Sequence, residues 1–505
     1  MPPRFACVLI LSLVAPALRG FADEDDGKAL LRTLEAKVAR AVNEARPALA
    51  RIYVSRSDAY ENAVWGETTG NTSAGELGRF DADAARKRVP ADARNRARIL
   101  RAIEEHDLSA PRIVPESFGS GIIIDPKGHV LTCSHVVRDA KRIYVRLPGK
   151  GGSWADIHAS DPRSDLAVLR LLDPPAGLVA MPLGKGGRVR EGQFVISMAN
   201  GYEPGFRAEP THKYGLVNAL RRQSPSKEDE AENNPKAPSQ KTLSQFGTLF
   251  QLDSKAAPGC SGGVLVDLEG KAVGLTTAIA AVAGTEQAGF AIPFDLKTRR
   301  IIEVLKRGEE VEYGFLGIIL QDENRGNGVH FKSVMPGSPA DRAGLRALDR
   351  VSTIDGKPVR TNADLFLYVG MALAGNETRI EVQRVGGPKT CKVTLSKYSV
   401  FGKVIASKRP PARFGLRVDY NSILAQRNAF LFRWPADGVS IREVVPGSSA
   451  DKVRLQPDKL ITHVDGRPVP TPADFYKAIA RAGKSVEITY AKSDGQLERL
   501  TLEEK

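Results

Sequence analysis

The chain is poor in cysteine and in aromatic residues, and it has little long apolar sequence. It holds 4 cysteines in 505 residues, and 6% of its residues are aromatic. No C-x-x-C motif or histidine cluster is present, so the sequence predicts neither a disulfide framework nor a metal site. The formal charge is +14, but the basic residues are dispersed. This favours a solvated basic surface over the alternative of nucleic-acid binding.

The longest apolar run is at the amino terminus. Arg4 precedes an apolar segment from Phe5 to Leu18, and Gly20-Phe21-Ala22 follows as a small-x-small site. This pattern is typical of a secretory signal peptide over residues 1–22, and it predicts a periplasmic or secreted protein. The segment is short for a bilayer-spanning helix, but an uncleaved anchor stays an alternative. Membrane association is expected only in that case.

A glycine-rich turn carries the serine around which the chain is organised. Pro258-Gly259-Cys260-Ser261-Gly262-Gly263 leads into the apolar run Val264-Leu265-Val266. Glycines allow a tight turn that exposes a serine and leaves backbone N–H groups free to face a ligand. A serine nucleophile and its oxyanion hole need this arrangement.

Two further residues stand at element edges in a suggestive order. His135 follows the apolar run Val130-Leu131, and Asp165 precedes Leu166-Ala167-Val168-Leu169. Each alone also fits a structural histidine or a capping aspartate. The order His, Asp, Ser is that of chymotrypsin-like proteases, and it differs from the orders in subtilisin and the α/β-hydrolases.

These stretches resemble the HtrA/Deg serine proteases, and the resemblance covers most of the chain from about Pro47 onward. It implies that Ser261 is the nucleophile, that His135 is the general base and that Asp165 orients the imidazole. The N–H groups of Gly259 and Ser261 would form the oxyanion hole. The chain departs from the family pattern by having Cys260 in place of Asn, Cys133-Ser134 in place of Asn-Ala, and Val264 in place of Pro.

The resemblance also implies a mainly β fold with several domains. An N-terminal helix over residues 23–46 precedes a chymotrypsin-like double β-barrel over residues 47–305. Residues 56–112 and 223–241 are insertions in it. The second insertion occupies the place of a sensor loop in the family, and a simple tolerated insertion is the alternative. The residues of the predicted specificity pocket are Thr276, Thr277, Ala278 and Ile279. Since none is acidic, we predict cleavage after small or medium aliphatic residues.

The carboxyl-terminal part contains a repeat. Ile354-Asp355-Gly356 recurs as Val464-Asp465-Gly466 at an offset of 110 residues, and the flanking segments match at the same offset. Both copies resemble PDZ domains, which are α+β folds that bind carboxyl-terminal peptides at a sheet edge. We refer to residues 313–397 as the first repeat unit and to residues 413–503 as the second, with a linker over 398–412.

The resemblance places peptide binding in the first repeat unit at Gly314, Phe315, Leu316, Gly317 and Ile318. The corresponding stretch of the second unit is Arg413-Phe414-Gly415-Leu416, which fits the pattern less well. Assembly without peptide binding is therefore an alternative for the second unit.

The resemblance implies an exported, ATP-independent serine endopeptidase that cleaves unfolded or damaged proteins by an acyl-enzyme mechanism, is regulated by peptide binding to its PDZ domains and needs no cofactor. The resemblance implies apolar carboxyl-terminal peptides as PDZ ligands and a homotrimer or larger homo-oligomer. Because Cys133 and Cys260 flank catalytic candidates, a peptide-binding scaffold or chaperone with weak or no proteolysis is the alternative. A bridge between these two cysteines and two separate buried thiols both remain open.

Overall fold

The computed structural model describes residues 24–57, 75–91, 95–110, 113–149, 151–184, 188–201, 209–224, 242–255, 259–278, 288–321, 328–400, 403–427, 437–492 and 496–504. The predicted signal peptide, Ile279 and most of the 223–241 insertion lie outside these ranges. Among the described residues, no helix combines the length and the apolar character that a membrane crossing requires. The fold is mainly β, as the sequence predicts.

A first barrel follows the N-terminal helix α1 (Glu24–Ala45). Its strands are β1 (Leu49–Ser55), β2 (Ser117–Ile123), β3 (His129–Cys133), β4 (Arg142–Leu147), β5 (Gly151–Asp161) and β6 (Leu166–Leu171). They pair in the order β5-β4-β1-β2-β3-β6, and β6 pairs with β5 to close the sheet. Closure satisfies the strand edges and places apolar side chains inside. Every residue of β1 is buried, because other elements cover the outer face of that strand too.

A second barrel contains β7 (Phe194–Ala199), β8 (Thr211–Arg222), β9 (Leu249–Lys255), β10 (Val264–Val266), β11 (Ala272–Thr277) and β12 (Ala288–Pro293). These strands close in the order β10-β11-β12-β9-β8-β7. Helix α4 (Leu296–Lys306) follows and packs back against β5 and β6 of the first barrel. One apolar cluster contains residues of both barrels, and a smaller cluster lies within the second barrel, so the two barrels pack against each other.

Only the carboxyl-terminal half of the N-terminal helix α1 packs against the barrel. Ala41 and Val42 are buried, but Leu30 and Leu31 are 71% and 61% exposed. The apolar periodicity predicts the helix correctly, but only its carboxyl-terminal half meets the barrel. The 56–112 insertion holds α2 (Ala82–Arg88) and α3 (Arg96–His106), which bury Phe80 and Ile103 against the outside of the first barrel.

The first repeat unit is a small sheet with a helix against it. Its strands are β13 (Gly314–Phe315), β14 (Ile318–Leu320), β15 (Val329–Val334), β16 (Arg350–Ile354), β17 (Lys357–Pro358), β18 (Glu377–Arg384), β19 (Gly387–Thr394) and β20 (Ser396–Lys397). Its helices are α5 (Pro339–Arg342) and α6 (Asn362–Met371). The sheet order β14-β15-β16-β18-β19 leaves β14 at one edge.

The second repeat unit has the same topology. Its strands are β22 (Leu416–Tyr420), β23 (Val439–Val444), β24 (Leu460–Val464), β25 (Arg467–Pro468), β26 (Ser485–Ala491) and β27 (Leu497–Glu503). Its helices are α7 (Ser422–Arg427), α8 (Ser449–Lys452) and α9 (Pro472–Arg481). The order β22-β23-β24-β26-β27 matches that of the first unit, with β22 at the edge.

The linker is more than a spacer. Residues Ile405 and Ala406 form β21, which pairs with Ser160 and Ala159 of β5 in the first barrel. Both residues are 6% exposed. An apolar dipeptide at an open strand edge gains backbone pairing and burial at once, so the linker is anchored to the protease part.

Candidate active site

Strand pairing brings the predicted triad together. β3 pairs antiparallel with β6, so that Cys133 faces Leu166 and the turns next to these residues are neighbours. His135 lies in a 3-10 turn over Ser134–Val136, and Asp165 ends the turn before β6. Ser261 lies before β10 of the second barrel, and its carbonyl accepts the Ser120 N–H of β2 at 2.8 Å. The site therefore lies where the two barrels meet.

The His135 and Asp165 side chains form a short pair. Nδ1 of His135 is 2.8 Å from Oδ2 of Asp165, and the His135 backbone N–H donates to Oδ1 at 3.0 Å. Asp165 is 5% exposed and holds a left-handed φ of 58°. Its carbonyl accepts the Ser134 N–H at 2.9 Å. These contacts fix the imidazole with Nδ1 toward the carboxylate and leave Nε2 for chemistry.

Ser261 is in a resting position. Its Oγ accepts the Ala278 backbone N–H at 3.1 Å. Within the described ranges, no hydrogen bond joins Ser261 to His135. The structure thus brings all predicted triad residues to one site, with the nucleophile turned toward β11 rather than toward the base.

The turn before Ser261 depends on glycine. Gly259 has a φ of 75°, and a β-carbon there would come within 2.7 Å of the Phe118 ring. Gly262 has a φ of 85°, and a β-carbon there would lie 2.0 Å from the Ser120 carbonyl oxygen. Among the described residues, the N–H groups of Gly259 and Ser261 have no hydrogen-bond partner. Both donors are available for an oxyanion.

The two unusual cysteines are buried beside this turn as free thiols, as is Cys391. Sγ of Cys133 donates to the Thr276 carbonyl at 3.5 Å, and the Cys260 carbonyl accepts the Thr276 hydroxyl at 2.5 Å. Burial, together with the nearby charge of Asp165, raises the pKa of the Cys133 thiol well above its usual value. Cys133, His135 and Asp165 have ligand atoms within 4.8 Å of one another. Because the thiol is protonated and Nδ1 already faces the carboxylate, this group suits an oriented His-Asp pair better than a metal.

The predicted pocket residues lie next to Ser261. Thr276 and Thr277 are 3% and 1% exposed and line a cavity of about 30 Å³ together with Cys260 and Phe290. Ala278 contributes its N–H to Ser261, as described above, and Ile279 lies outside the described residues. The cavity has room for a water molecule or two, which corresponds to a small side chain.

The predicted peptide-binding residues surround one end of β14. Gly314 and Phe315 pair with β20, and Leu316 is buried. Gly317 has a φ of 81°, and Ile318 begins the edge strand. Leu316 forms part of the core of the unit rather than an open pocket, and peptide binding by these residues stays a prediction.

The sequence did not predict one cluster of buried polar residues near the triad, which contains Asp161, Arg163 and Tyr313. The Tyr313 hydroxyl donates a short hydrogen bond to the buried Asp161 carboxylate, which also accepts the Ser164 backbone N–H at 3.0 Å. The Arg163 guanidinium lies over the Tyr313 and Tyr398 rings, at 4.7 Å and 4.0 Å. Burial raises the pKa of Asp161. The sequence marks a polar turn at Asp161-Pro162-Arg163-Ser164-Asp165. No sequence pattern connects this turn with Tyr313, which lies far along the chain.

Comparisons with known proteins agree with this geometry. Residues 119–275 match the family described as "Trypsin-like peptidase domain", and residues 314–395 match the "PDZ domain" family. A protein of Ectopseudomonas mendocina (strain ymp), named "Probable periplasmic serine endoprotease DegP-like", is 30% identical over 392 residues. The match covers 74% of this chain and 77% of that protein. The chain belongs to the HtrA/Deg family of trypsin-like serine proteases.

Other HtrA/Deg proteins are also similar to this chain. "Periplasmic pH-dependent serine endoprotease DegQ" of Escherichia coli (strain K12) is 29% identical over 377 residues, covering 72% of this chain and 76% of that protein. A solved structure, "HtrA-type protease AlgW with tripeptide", has 24% identity and a TM-score of 0.48, covering 72% of this chain and 97% of that one. The chain is a serine-type endopeptidase.

Proposed function

We propose that this endopeptidase is exported and cleaves unfolded or damaged proteins by an ATP-independent acyl-enzyme mechanism. The observation that carries the proposal is the His135–Asp165 pair beside Ser261 on its glycine turn. Ser261 Oγ leaves the Ala278 N–H and attacks the peptide carbonyl, while His135 Nε2 takes its proton. The Gly259 and Ser261 N–H groups receive the oxyanion. His135 then protonates the leaving amine, and water hydrolyses the acyl-enzyme.

We propose a periplasmic or secreted location, supported by the predicted signal peptide and by the word "periplasmic" in the names of the relatives. A homotrimer or larger homo-oligomer is proposed by likeness to the family. The exposed Leu30 and Leu31 on α1 suit a protein contact, because large exposed apolar side chains on one helix face are costly in water. We also propose the domain boundaries given above, with the second repeat unit as a PDZ domain.

Peptide binding to the first repeat unit is proposed to regulate the triad. Three contacts support this coupling. Tyr313, beside the peptide-binding residues, donates to Asp161 in the turn that carries Asp165. On the other side, Phe366 of α6 meets Phe246 at 5.8 Å between ring centroids, and Arg221 is 3.7 Å from Asp364. Phe246 and Arg221 flank the 223–241 insertion, so a ligand beside α6 acts on both ends of the predicted sensor loop.

A peptide-binding scaffold or chaperone is the second candidate. The observation that favours it is that Oγ of Ser261 accepts the Ala278 N–H and, among the described residues, forms no hydrogen bond with His135. If Oγ never leaves this position, the chain binds substrates without cutting them.

The test combines labelling and degradation. We expect a fluorophosphonate probe to label the chain at Ser261, and we expect the chain to degrade casein faster in the presence of a peptide with apolar carboxyl-terminal residues. Ser261→Ala is the control and should neither be labelled nor cleave. Absence of labelling and cleavage with and without peptide, in a folded protein that still binds the peptide, would favour the scaffold.

The small pocket predicts a narrow specificity. We expect kcat/KM to be about tenfold or more higher for peptides with Ala or Val before the cut than for the same peptides with Phe, since differences of a few carbon atoms in a tight pocket have effects of this size. Digestion of a peptide library, analysed by mass spectrometry, measures the preference for the residue before the cut. A preference for Arg, Lys or Phe at this position would show that the small cavity lined by Thr276 and Thr277 is not the specificity pocket.

A further inference from the structure

The edge strand of the second repeat unit is already paired, by a side chain of its own unit. Tyr476 on α9 reaches across to β22, where its hydroxyl accepts the Val418 N–H at 3.1 Å and donates to the Val418 carbonyl at 3.5 Å. β22 lies at the edge of its sheet. An added peptide strand would need this same N–H and C=O pair.

The turn before β22 is occupied as well. Oε1 of Glu504 accepts the Phe414 backbone N–H at 3.2 Å, and Oε2 pairs with Arg413 at 3.1 Å. Phe414 and Gly415 have φ values of 55° and 83°, so the backbone turns sharply here. A side-chain carboxylate on a backbone N–H of this turn has the chemistry by which PDZ domains hold a peptide's terminal carboxylate.

The first repeat unit differs at the equivalent position. At the repeat offset, Phe366 corresponds to Tyr476, and both residues lie in the same Thr-x-x-Asp-capped helix. Phenylalanine has no hydroxyl, so it cannot pair with the edge strand. Phe366 is 44% exposed and contacts Phe246 of the protease part. Because of this one hydroxyl group, α9 of the second unit can form a hydrogen bond with its edge strand, whereas α6 of the first unit cannot.

We propose that Tyr476 and Glu504 form an internal lock that competes with a carboxyl-terminal peptide for the second repeat unit. The Tyr476 hydroxyl takes the place of a peptide backbone amide, and the Glu504 carboxylate takes the place of the terminal carboxylate. The ligand class is a peptide with a free α-carboxylate and apolar last residues. The inference rests on the proposed peptide binding by these units, and it adds that the second site is closed in the free protein.

The test counts peptide sites by isothermal titration calorimetry in the full-length chain with Ser261→Ala, so that the peptide is not cut. The probe is a hexapeptide ending in apolar residues, with its carboxyl-terminal amide as the comparison. We expect one site per chain without further changes and two sites in the Tyr476→Phe/Glu504→Ala variant. Affinity at the second site should rise about tenfold or more over the locked chain, and the amidated peptide should not bind there.

The chain offers a matched control. Tyr490 and Glu498 form another tyrosine–glutamate hydrogen bond in the same sheet, at 2.5 Å, on strands distant from β22. Tyr490→Phe/Glu498→Ala should leave one site. The reciprocal change Phe366→Tyr should weaken binding at the first unit. If the first unit binds no peptide, the number of peptide sites should still rise from none to one in the Tyr476→Phe/Glu504→Ala variant. Failure of peptide binding by the first unit can therefore be told apart from failure of the lock.

Equal numbers of peptide sites in the parent and in the Tyr476→Phe/Glu504→Ala variant, whether none, one or two, would overturn the lock. Hydrogen exchange gives an independent measurement if the double variant is poorly folded. The Val418 amide should exchange at least several-fold faster in Tyr476→Phe than in the parent, with unchanged exchange elsewhere in β23 and β24. Unchanged protection of Val418 would also refute the proposal.

Discussion

Asp165→Asn is expected to lower kcat on casein by about 10⁴-fold while leaving the fold intact. The carboxylate accepts from Nδ1 of His135 at 2.8 Å, which keeps the proton on Nδ1 and leaves Nε2 free to take the Ser261 proton. An amide can donate to Nδ1 instead, which moves the proton to Nε2 and removes the base. Asn also tolerates the left-handed φ of 58° at this position, so the turn should survive.

The control for this variant lies in the same barrel. His129 and Asp125 form a second His–Asp pair, at 2.7 Å between Nδ1 and Oδ2, at the turn between β2 and β3. Asp125 is also buried, at 8% exposed, but it pairs with His129 and Lys306 instead of with the triad candidates. In Asp125→Asn, kcat of the folded protein should therefore stay close to that of the parent, while the melting temperature should fall because a buried pair is broken. A similar loss in both variants would point to stability. More than about a tenth of the parent rate in Asp165→Asn would remove Asp165 from the triad.

The candidate triad could be proposed from the sequence because each member lies in a short local pattern and the family resemblance links these patterns. A glycine turn before an apolar strand, a histidine after one strand and an aspartate before another are visible without any long-range knowledge. The barrel strands then bring these turns together, since β3 pairs with β6 over a register set by their apolar residues. The orientation of Ser261 toward Ala278 could not be predicted, because side-chain rotation leaves no trace in residue spacing.

Contacts between segments that are distant along the chain could not be predicted from the sequence. The Tyr313–Asp161 hydrogen bond joins residues 152 positions apart, and neither residue type signals the other. The β21–β5 pairing was missed because Ile405 and Ala406 form a strand too short to show alternation. The periodicity of α1 predicted a helix but not which part is covered, since Leu30 and Val42 fit the same stripe while one is exposed and the other buried.

A buried ionic cluster joins the three parts of the chain. Lys397 of β20 is 2.8 Å from Glu310 and 2.9 Å from Asp419 of the second unit. Arg442 of β23 bridges the same two carboxylates, and Glu312 lies 3.6 Å from Lys397. The Lys397 side chain is 3% exposed. Burial alone would lower the pKa of Lys397, but the surrounding carboxylates reverse this and hold it above its usual range.

Lys397→Met is therefore expected to destabilise the docking of the second repeat unit, by up to about 3–5 kcal/mol, because Glu310 and Asp419 then share Arg442 as a cation and lose the fully buried one. Methionine keeps the volume of the side chain, so the loss reports charge rather than a cavity. The raised pKa means that the contribution is complete at neutral pH and is lost only when the pH rises through the folded-state pKa. Differential scanning calorimetry should show the transition of the second unit lowered by several degrees or separated from the rest.

The matched control is Lys492→Met, which breaks the exposed Lys492–Glu498 pair of 3.0 Å in the same unit. Exposed pairs contribute little in water, so its melting profile should overlay that of the parent. If both variants behave alike, Lys397 is held by packing and its ionic partners do not stabilise the assembly. If only Lys397→Met loosens the second unit, the cluster fixes that unit against Glu310, which lies four residues after the end of α4. The position of the second unit would then depend on contacts with the segment that follows α4 as well as on contacts with the first repeat unit.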